Sequence, residues 1–269
     1  MDGVKIFTAS SSATASPDCA GHVLVSGSYG GEYNAYNAAR WGAKAVILND
    51  AGVGKKDAGI NGLPYLDKVG IAAATADAWT CHIADGEDML AQGVISHVNT
   101  VAAKLGCNRG QTVRECAELM KAAPMRTGEL PPIWGGERHP PTLTPGGRTI
   151  VYLDAAPMLN SDDAGAIVVT GSHAALFRGQ PDNVVNVEVF AIFFSDAGVG
   201  KDNAGILRLA ELDKRSIAAG TASAMSAPIG HAREIYDDGV LSHVNATAAG
   251  LGATPGMPLK TFIARIVKN

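Results

Sequence analysis

The chain has 269 residues, 46% of them hydrophobic and 18% charged, which is the composition of an ordinary globular protein. The formal net charge is -4 and no basic stretch stands out, so we expect no nucleic-acid partner. A membrane span needs a run of about 18 apolar residues, and a signal peptide needs a basic segment followed by an apolar one. Neither pattern occurs, so we expect no membrane partner and a cytoplasmic protein.

The four cysteines form no CxxC pair, and the seven histidines form no HxH or HxxxH pair. Zinc sites and disulfide frameworks need such close groupings. The sequence therefore predicts free thiols in a reducing compartment, and neither a metal ion nor another cofactor.

The chain repeats itself at an offset of 146 residues. DAGVGK at 50–55 recurs at 196–201, and GVISHVN at 93–99 recurs as GVLSHVN at 239–245. From Ala45 to Gly106, 31 of 62 aligned positions are identical, which indicates an internal duplication. We therefore predict two α/β copies, residues 1–123 and 147–269, related by pseudo-twofold symmetry. The proline-rich stretch 124–146 is typical of an extended linker rather than of a packed element.

In both copies, apolar strands alternate with helices. The predicted strands are Val4–Thr8, His22–Ser26, Ala43–Leu48 and Ile71–Thr75, and then Thr149–Leu153, Ala166–Thr170, Val187–Phe194 and Ile217–Thr221. The predicted helices are Glu32–Trp41, Asp57–Val69 and Val94–Leu105, then Asn203–Arg215 and Val240–Leu251, with a last helix after Gly110 and after Gly256. This order predicts a three-layer, mainly parallel-sheet βαβαβα unit. Gly179 and Pro181 predict a shortened first crossover in the second copy.

The first candidate site is the DAGVGK loop, because ligands bind at the carboxyl ends of strands in parallel sheets. Backbone amides at Gly52 and Gly54, together with Lys55, would hold a carboxylate, a phosphate or an oxyanion, and Lys201 would do the same in the second copy. The loop is not a Walker A motif, because Lys56 follows where Ser or Thr is required. The alternative is a tight turn in which Asp50 is a local cap.

The second candidate is Ser28, which follows a predicted strand. The segment is similar to a nucleophile elbow, although the GxSxG pattern is not met because Ser26 holds the leading position. The amides of Gly30 and Gly31 would then donate to an oxyanion. The alternative is that Ser28 caps the helix. The second copy keeps Ser172 but loses both glycines, so we expect the first copy to be the working half.

The third candidate is His97, repeated as His243, which could act as an acid, a base or an oxyanion donor. Ser96 beside it could cap the predicted helix. The alternative is a histidine held between packed helices, with Asn99 in a polar network. Thr80 lies in the preceding loop, where the second copy also has a hydroxyl. The other residues of this loop differ between the two copies. This difference fits one working site and one site that has lost its function, or a single composite site to which each copy contributes different groups.

These residues predict an enzyme that acts on a small anionic substrate, by hydrolysis of an amide, lactam or ester bond. Ser28 would be the nucleophile, Lys55 or His97 the base and Asp50 the orienting group. A lyase or decarboxylase could use the same anion cradle without a nucleophile. A non-catalytic small-ligand binder and a structural protein are the remaining alternatives. We also expect a homo-oligomer.

Overall fold

The computed structural model describes residues 3–181 and 185–267. The chain forms two compact units. The first contains the residues up to Val53, Asp57–Trp134 and Gly200–Asp202, and the second contains Gly54–Lys56, Gly135–Val199 and the residues from Asn203 onward.

The first unit is built on a five-stranded sheet. Its strands are β1 (Ile6–Ala9), β2 (Val23–Tyr29), β3 (Ala45–Asn49), β4 (Ala72–Ala76) and β5 (Ile95–Val98), in that spatial order. Its helices are α1 (Glu32–Arg40), α2 (Gly62–Asp67), α3 (Gly86–Gln92), α4 (Thr100–Lys104) and α5 (Val113–Met120). The first four strands are parallel, whereas β5 runs antiparallel to β4.

Apolar residues line both faces of this sheet, because alternate side chains of a strand point to opposite sides. On one face, Val25 and Ile47 pack with the buried side of α3 and α5. On the other, Leu24 and Val46 pack with α1 and α2. Helices on both faces of a mostly parallel sheet give the unit three layers.

The second unit is built on a six-stranded sheet. Its strands are β6 (Arg138–Leu143), β7 (Thr149–Leu153), β8 (Ile167–His173), β9 (Ala191–Ser195), β10 (Ala218–Ala222) and β11 (Leu241–Val244), again in that spatial order. Its α-helices are α6 (Arg208–Lys214), α7 (Ala232–Asp238), α8 (Ala246–Gly250) and α9 (Leu259–Ile266). Strands β7 to β10 are parallel, and the two outer strands β6 and β11 are antiparallel to their neighbours.

The structure confirms a mixed α/β fold with mostly parallel sheets, whereas the pseudo-twofold relation stays a prediction. Two predicted helices are wrong in their first half. Ile95–Val98 and Leu241–Val244 are strands, and the helices begin only at Thr100 and Ala246. Each segment lies at a sheet edge, where its backbone pairs with β4 or β10, and this pairing outweighs the helical pattern of its sequence.

Two further segments differ in detail from the sequence prediction, and a third is the crossover that was predicted to be shortened. Helix α3 begins inside what we expected to be a loop, with Asp85 as its N-cap. Part of the predicted linker, 124–146, pairs with β7 as strand β6. The shortened crossover of the second copy contains a 3-10 helix at Phe177–Gly179, while residues 182–184 lie outside the described residues. In the part of the chain that the structure describes, no helix is both long and apolar enough to cross a membrane.

Candidate active site

The DAGVGK loop leaves β3 along a left-handed backbone path. The φ angles of Ala51, Gly52 and Val53 are 49°, 71° and 65°. A β-branched residue such as Val53 is rare in this region, where the backbone strain is about 1–2 kcal/mol. The Ala51 amide donates to Asn49 Oδ1 at 2.9 Å, and the Gly52 and Val53 amides donate to Asp50 Oδ1 and Asp50 O at 3.0 and 2.7 Å. These three amides are used within the loop, so an anion there would need other donors.

Asp50 holds this loop to the loop that follows β4. Its Oδ1 accepts from the amides of Gly52 and Ala78, both at 3.0 Å, and the residue is only 5% exposed. Burial raises the pKa of the Asp50 carboxyl above its ordinary value of 3.8, while the two amides and the Ser96 hydroxyl lower it in part. The structure therefore places a buried carboxyl beside the Ser96 side chain.

Ser96 is also in contact with a histidine and a threonine. Its Oγ lies 3.1 Å from His97 Nδ1 and 3.1 Å from Thr75 Oγ1, and it can donate to Thr75 O at 3.1 Å. Thr75 is fully buried and Ser96 is 8% exposed, whereas His97 is half-buried. The imidazole thus lies between the buried hydroxyl pair and the surface.

This cluster lies at the carboxyl edge of the parallel strands. Thr75 is the next-to-last residue of β4 and is directly opposite His97 in the antiparallel pair with β5. Asp50 comes one residue after β3, the neighbour of β4. Of the four predicted catalytic residues, Asp50 and His97 each interact with Ser96. This is the edge at which α/β sheets bind ligands.

Ser28 lies in a separate polar group. It is the next-to-last residue of β2, is 5% exposed, and its Oγ accepts from the Ser12 amide at 2.9 Å. The hydroxyls of Ser11 and Ser12 lie 3.5 and 3.3 Å from it. Ser28 does not cap α1, whose N-cap is Gly31. The hydroxyl therefore ties a loop to β2.

The two glycines after Ser28 are closely packed. The Gly30 amide donates to Asn49 O at 2.8 Å, so this predicted oxyanion donor already has an acceptor. A Cβ on Gly30 would lie 2.4 Å from Gly59 O and 2.6 Å from Thr75 Cγ2, and a Cβ on Gly31 would meet the Tyr29 ring at 2.4 Å. Both positions require glycine for close packing.

The two predicted lysines pair with carboxylates. In the second unit, Lys55 Nζ donates to Ser226 O and to Asp238 Oδ2, each at 3.0 Å. In the first unit, Lys201 Nζ lies 3.5 Å from Asp88 Oδ1. Within the part of the chain that the structure describes, no hydrogen bond or ion pair joins Ser28, Lys55 and His97 to one another.

The remaining predicted binding residues have local partners. Gly54 has a φ of 72° and a Cβ there would lie 3.0 Å from Ala224 O, so the position favours glycine on two counts.

Thr80 Oγ1 donates to Asp77 O and accepts from the Val94 amide. Ser172 Oγ accepts from the Ala156 amide at 2.8 Å. These contacts stabilise loops around the sheet edges.

The second unit repeats the serine–histidine contact. His243 Nδ1 lies 3.2 Å from Ser242 Oγ, which lies 3.0 Å from Thr221 Oγ1. Asp196 accepts from the Gly198 and Ala224 amides at 3.0 and 2.9 Å, as Asp50 does from its own pair. These residues supply matched controls for the cluster in the first unit.

The sequence did not indicate the contact between Thr75 and Ser96. Ser96 was one candidate cap for the predicted helix, but Asn99 is the N-cap, because residues 95–98 form β5. Among residues 3–181 and 185–267, no group of three or more His, Cys, Asp or Glu side chains is placed to hold a metal ion. All four cysteines are buried free thiols.

Comparison with family models, with curated proteins and with solved structures finds no match for the chain.

Proposed function

We propose that the protein is an enzyme that hydrolyses an amide, lactam or ester bond in a small anionic substrate, with its reactive group in the first unit. The observation that supports this most is the contact between Ser96 Oγ and His97 Nδ1 at 3.1 Å, beside the buried carboxyl of Asp50. A hydroxyl within hydrogen-bond reach of a base, with a third group to orient the pair, is the arrangement that activates a serine nucleophile.

The proposed chemistry has two steps. His97 Nδ1 takes the Ser96 proton while Oγ attacks the carbonyl carbon, and the imidazolium then protonates the leaving nitrogen or oxygen. Water, deprotonated by His97, hydrolyses the acyl-enzyme and restores Ser96. Asp50 orients the serine and favours the positive charge that develops on His97. Ser96 thus takes the role that the sequence assigned to Ser28.

The anionic character of the substrate rests on the sequence, through Lys55 and Lys201. Both ammonium groups face carboxylates, Asp238 and Asp88. Both lysines are partly exposed, and such ion pairs contribute little to stability. In the first unit, a substrate anion could therefore replace Asp88 on Lys201 at low cost.

Labelling with a fluorophosphonate tests the nucleophile without a known substrate. The activated serine displaces fluoride from phosphorus and keeps the phosphonyl group, so peptide mass spectrometry identifies it. We expect wild-type protein to be labelled at Ser96, and Ser96→Ala and His97→Gln to lose the label. Ser242→Ala, which removes the matching hydroxyl of the second unit, should leave labelling at Ser96 unchanged.

The other outcomes separate the alternatives. Labelling at Ser28 instead would identify Ser28 as the nucleophile, as the sequence predicts. A folded protein that is not labelled, but whose Ser96→Ala variant still eliminates a leaving group or releases CO2 from small carboxylates, would point to a lyase or decarboxylase. Saturable binding of small amides or esters with no turnover would identify a non-catalytic binder.

A further inference from the structure

The second unit contains a buried arginine that has no acidic partner in the part of the chain that the structure describes. Arg208, the first residue of α6, is only 4% exposed. Its Nη2 donates to Ala175 O at 2.7 Å, while its Nε is buried and has no hydrogen-bond partner. Among the described residues, no carboxylate lies within ion-pair distance of the guanidinium. A buried charge in this state is costly unless another group pairs with it.

The surroundings of Arg208 are apolar and weakly polar. The rings of Phe177 and Phe194 lie 5.9 and 5.5 Å from the guanidinium carbon, which gives some cation–π compensation. Burial lowers the pKa of Arg208 only to about 10, so the group stays charged at neutral pH. Burial and Arg208 lower the pKa of His173 to about 3, so this imidazole is neutral and adds no positive charge.

The first unit shows that this position does not need an arginine for folding. The residue aligned with Arg208 is Gly62, where an added Cβ would lie 2.7 Å from Gly30 O and 2.8 Å from Ala35 Cβ. Helix α1 fills that space in the first unit. The second unit has a short 3-10 helix at Phe177–Gly179 in the corresponding segment, and the Arg208 side chain lies beside it. Filling space requires no charge, and an apolar side chain would do it at lower cost.

We propose that Arg208 is the anchor of a binding site for a small monocarboxylate in the second unit. The free Nε–H and the remaining N–H groups can donate to two carboxylate oxygens, which is the pairing that guanidinium groups favour. One positive charge beside a neutral imidazole balances a monoanion, whereas a phosphate dianion would remain partly uncompensated. The rings of Phe177 and Phe194 suit a short apolar tail. The site is independent of the proposed Ser96 chemistry.

Thermal unfolding in different sodium salts at constant ionic strength tests this site. We expect acetate and propionate to raise the melting temperature of the wild type saturably, relative to chloride. The rise should be about 5 °C at about a hundred times the Kd. Phosphate should have a smaller effect. Arg208→Met should lose the response, and in chloride it should melt no lower than the wild type, since it removes an unpaired buried charge.

Two variants keep the test decisive. Arg215→Met removes a guanidinium that already has Glu188 and Val185 O as partners, and should keep the full acetate response. Arg208→Lys keeps the charge but lacks Nε, and should lose most of the response. No acetate response in the wild type, an equal response in Arg208→Met, or a full response in Arg208→Lys would each overturn the proposal. A large drop in the melting temperature of Arg208→Met in chloride would show that the arginine is structural.

Discussion

At the scale of single residues, the repeated DAGVGK sequence has a structural explanation that does not require a ligand. Val199 in the second copy has a φ of 65°, the same as Val53, and the glycines on either side of each valine are also left-handed. Such a path persists only where the surroundings determine it. Here the carboxylates of Asp50 and Asp196 supply that restraint by accepting backbone amides. The two copies thus share a backbone requirement.

Asp50 should make the stability of the protein depend on pH. Burial raises its pKa above 3.8 in the folded state, so between 3.8 and the raised value the folded protein keeps a proton that the unfolded chain has lost. Its contribution to stability therefore falls as pH rises through that window. We expect Asp50→Asn, which can still accept both amides, to gain stability relative to the wild type as pH increases. Urea unfolding from about pH 4 to about pH 7 measures this difference.

Asp196→Asn is the matched control, since Asp196 accepts the equivalent pair of amides. A stability difference between Asp50→Asn and the wild type that does not change with pH would contradict the burial argument. It would mean that the carboxyl ionises at the same pH in the folded and unfolded states.

At the scale of elements, the short strands β5 and β11 decide which polar groups meet. Pairing of β5 with β4 places Ser96 and His97 beside Thr75. The strand-rich order of the chain and the position of Asp50 at a strand end could be predicted from apolar runs. The meeting of Asp50 with Ser96 could not, because it depends on a long-range pairing that local sequence does not encode.

Asn99 should be a main determinant of this arrangement. Its Oδ1 accepts from the amides of Ala73 and Ala102 at 3.0 and 2.9 Å, and its Nδ2 donates to Ile71 O at 2.8 Å. Asn99→Ala removes a helix cap and leaves two buried backbone groups without partners. We expect it to lower the free energy of unfolding by about 2–4 kcal/mol. Chemical denaturation measures the loss.

Asn245→Ala should behave in the same way, because Asn245 has the same three kinds of partner in the second unit. Thr100→Ala, a change at the exposed residue next to Asn99, should have an effect of no more than about 0.5 kcal/mol. A neutral Asn99→Ala variant would mean that water replaces the side-chain partners and that the polar network is not required.

At the scale of the whole molecule, the two sheets share a strand order over their five corresponding strands. The first sheet has the order β1 to β5 and the second has the order β7 to β11, and in each the last strand is antiparallel to its neighbour. The second sheet has one more strand, β6, which lies beside β7. The alternation of apolar strands and helices in the sequence was sufficient to predict a mixed α/β fold with mostly parallel sheets. It could not predict β6, because a proline-rich segment has little intrinsic strand preference and pairs only where an edge strand is available. Each unit also has its own pair of buried clusters.

These separate cores predict that the two units lose structure separately. Leu66 and Leu212 are aligned in the repeat, and both are fully buried, one in each unit. Replacing either by alanine removes buried methyl groups and leaves a cavity, at a cost of about 2–5 kcal/mol. In native-state hydrogen exchange, we expect Leu66→Ala to reduce protection in the strands of the first sheet and Leu212→Ala in those of the second. If either substitution lowers protection equally in both sheets, the units unfold as one cooperative body, and the separate cores are not separate units of stability.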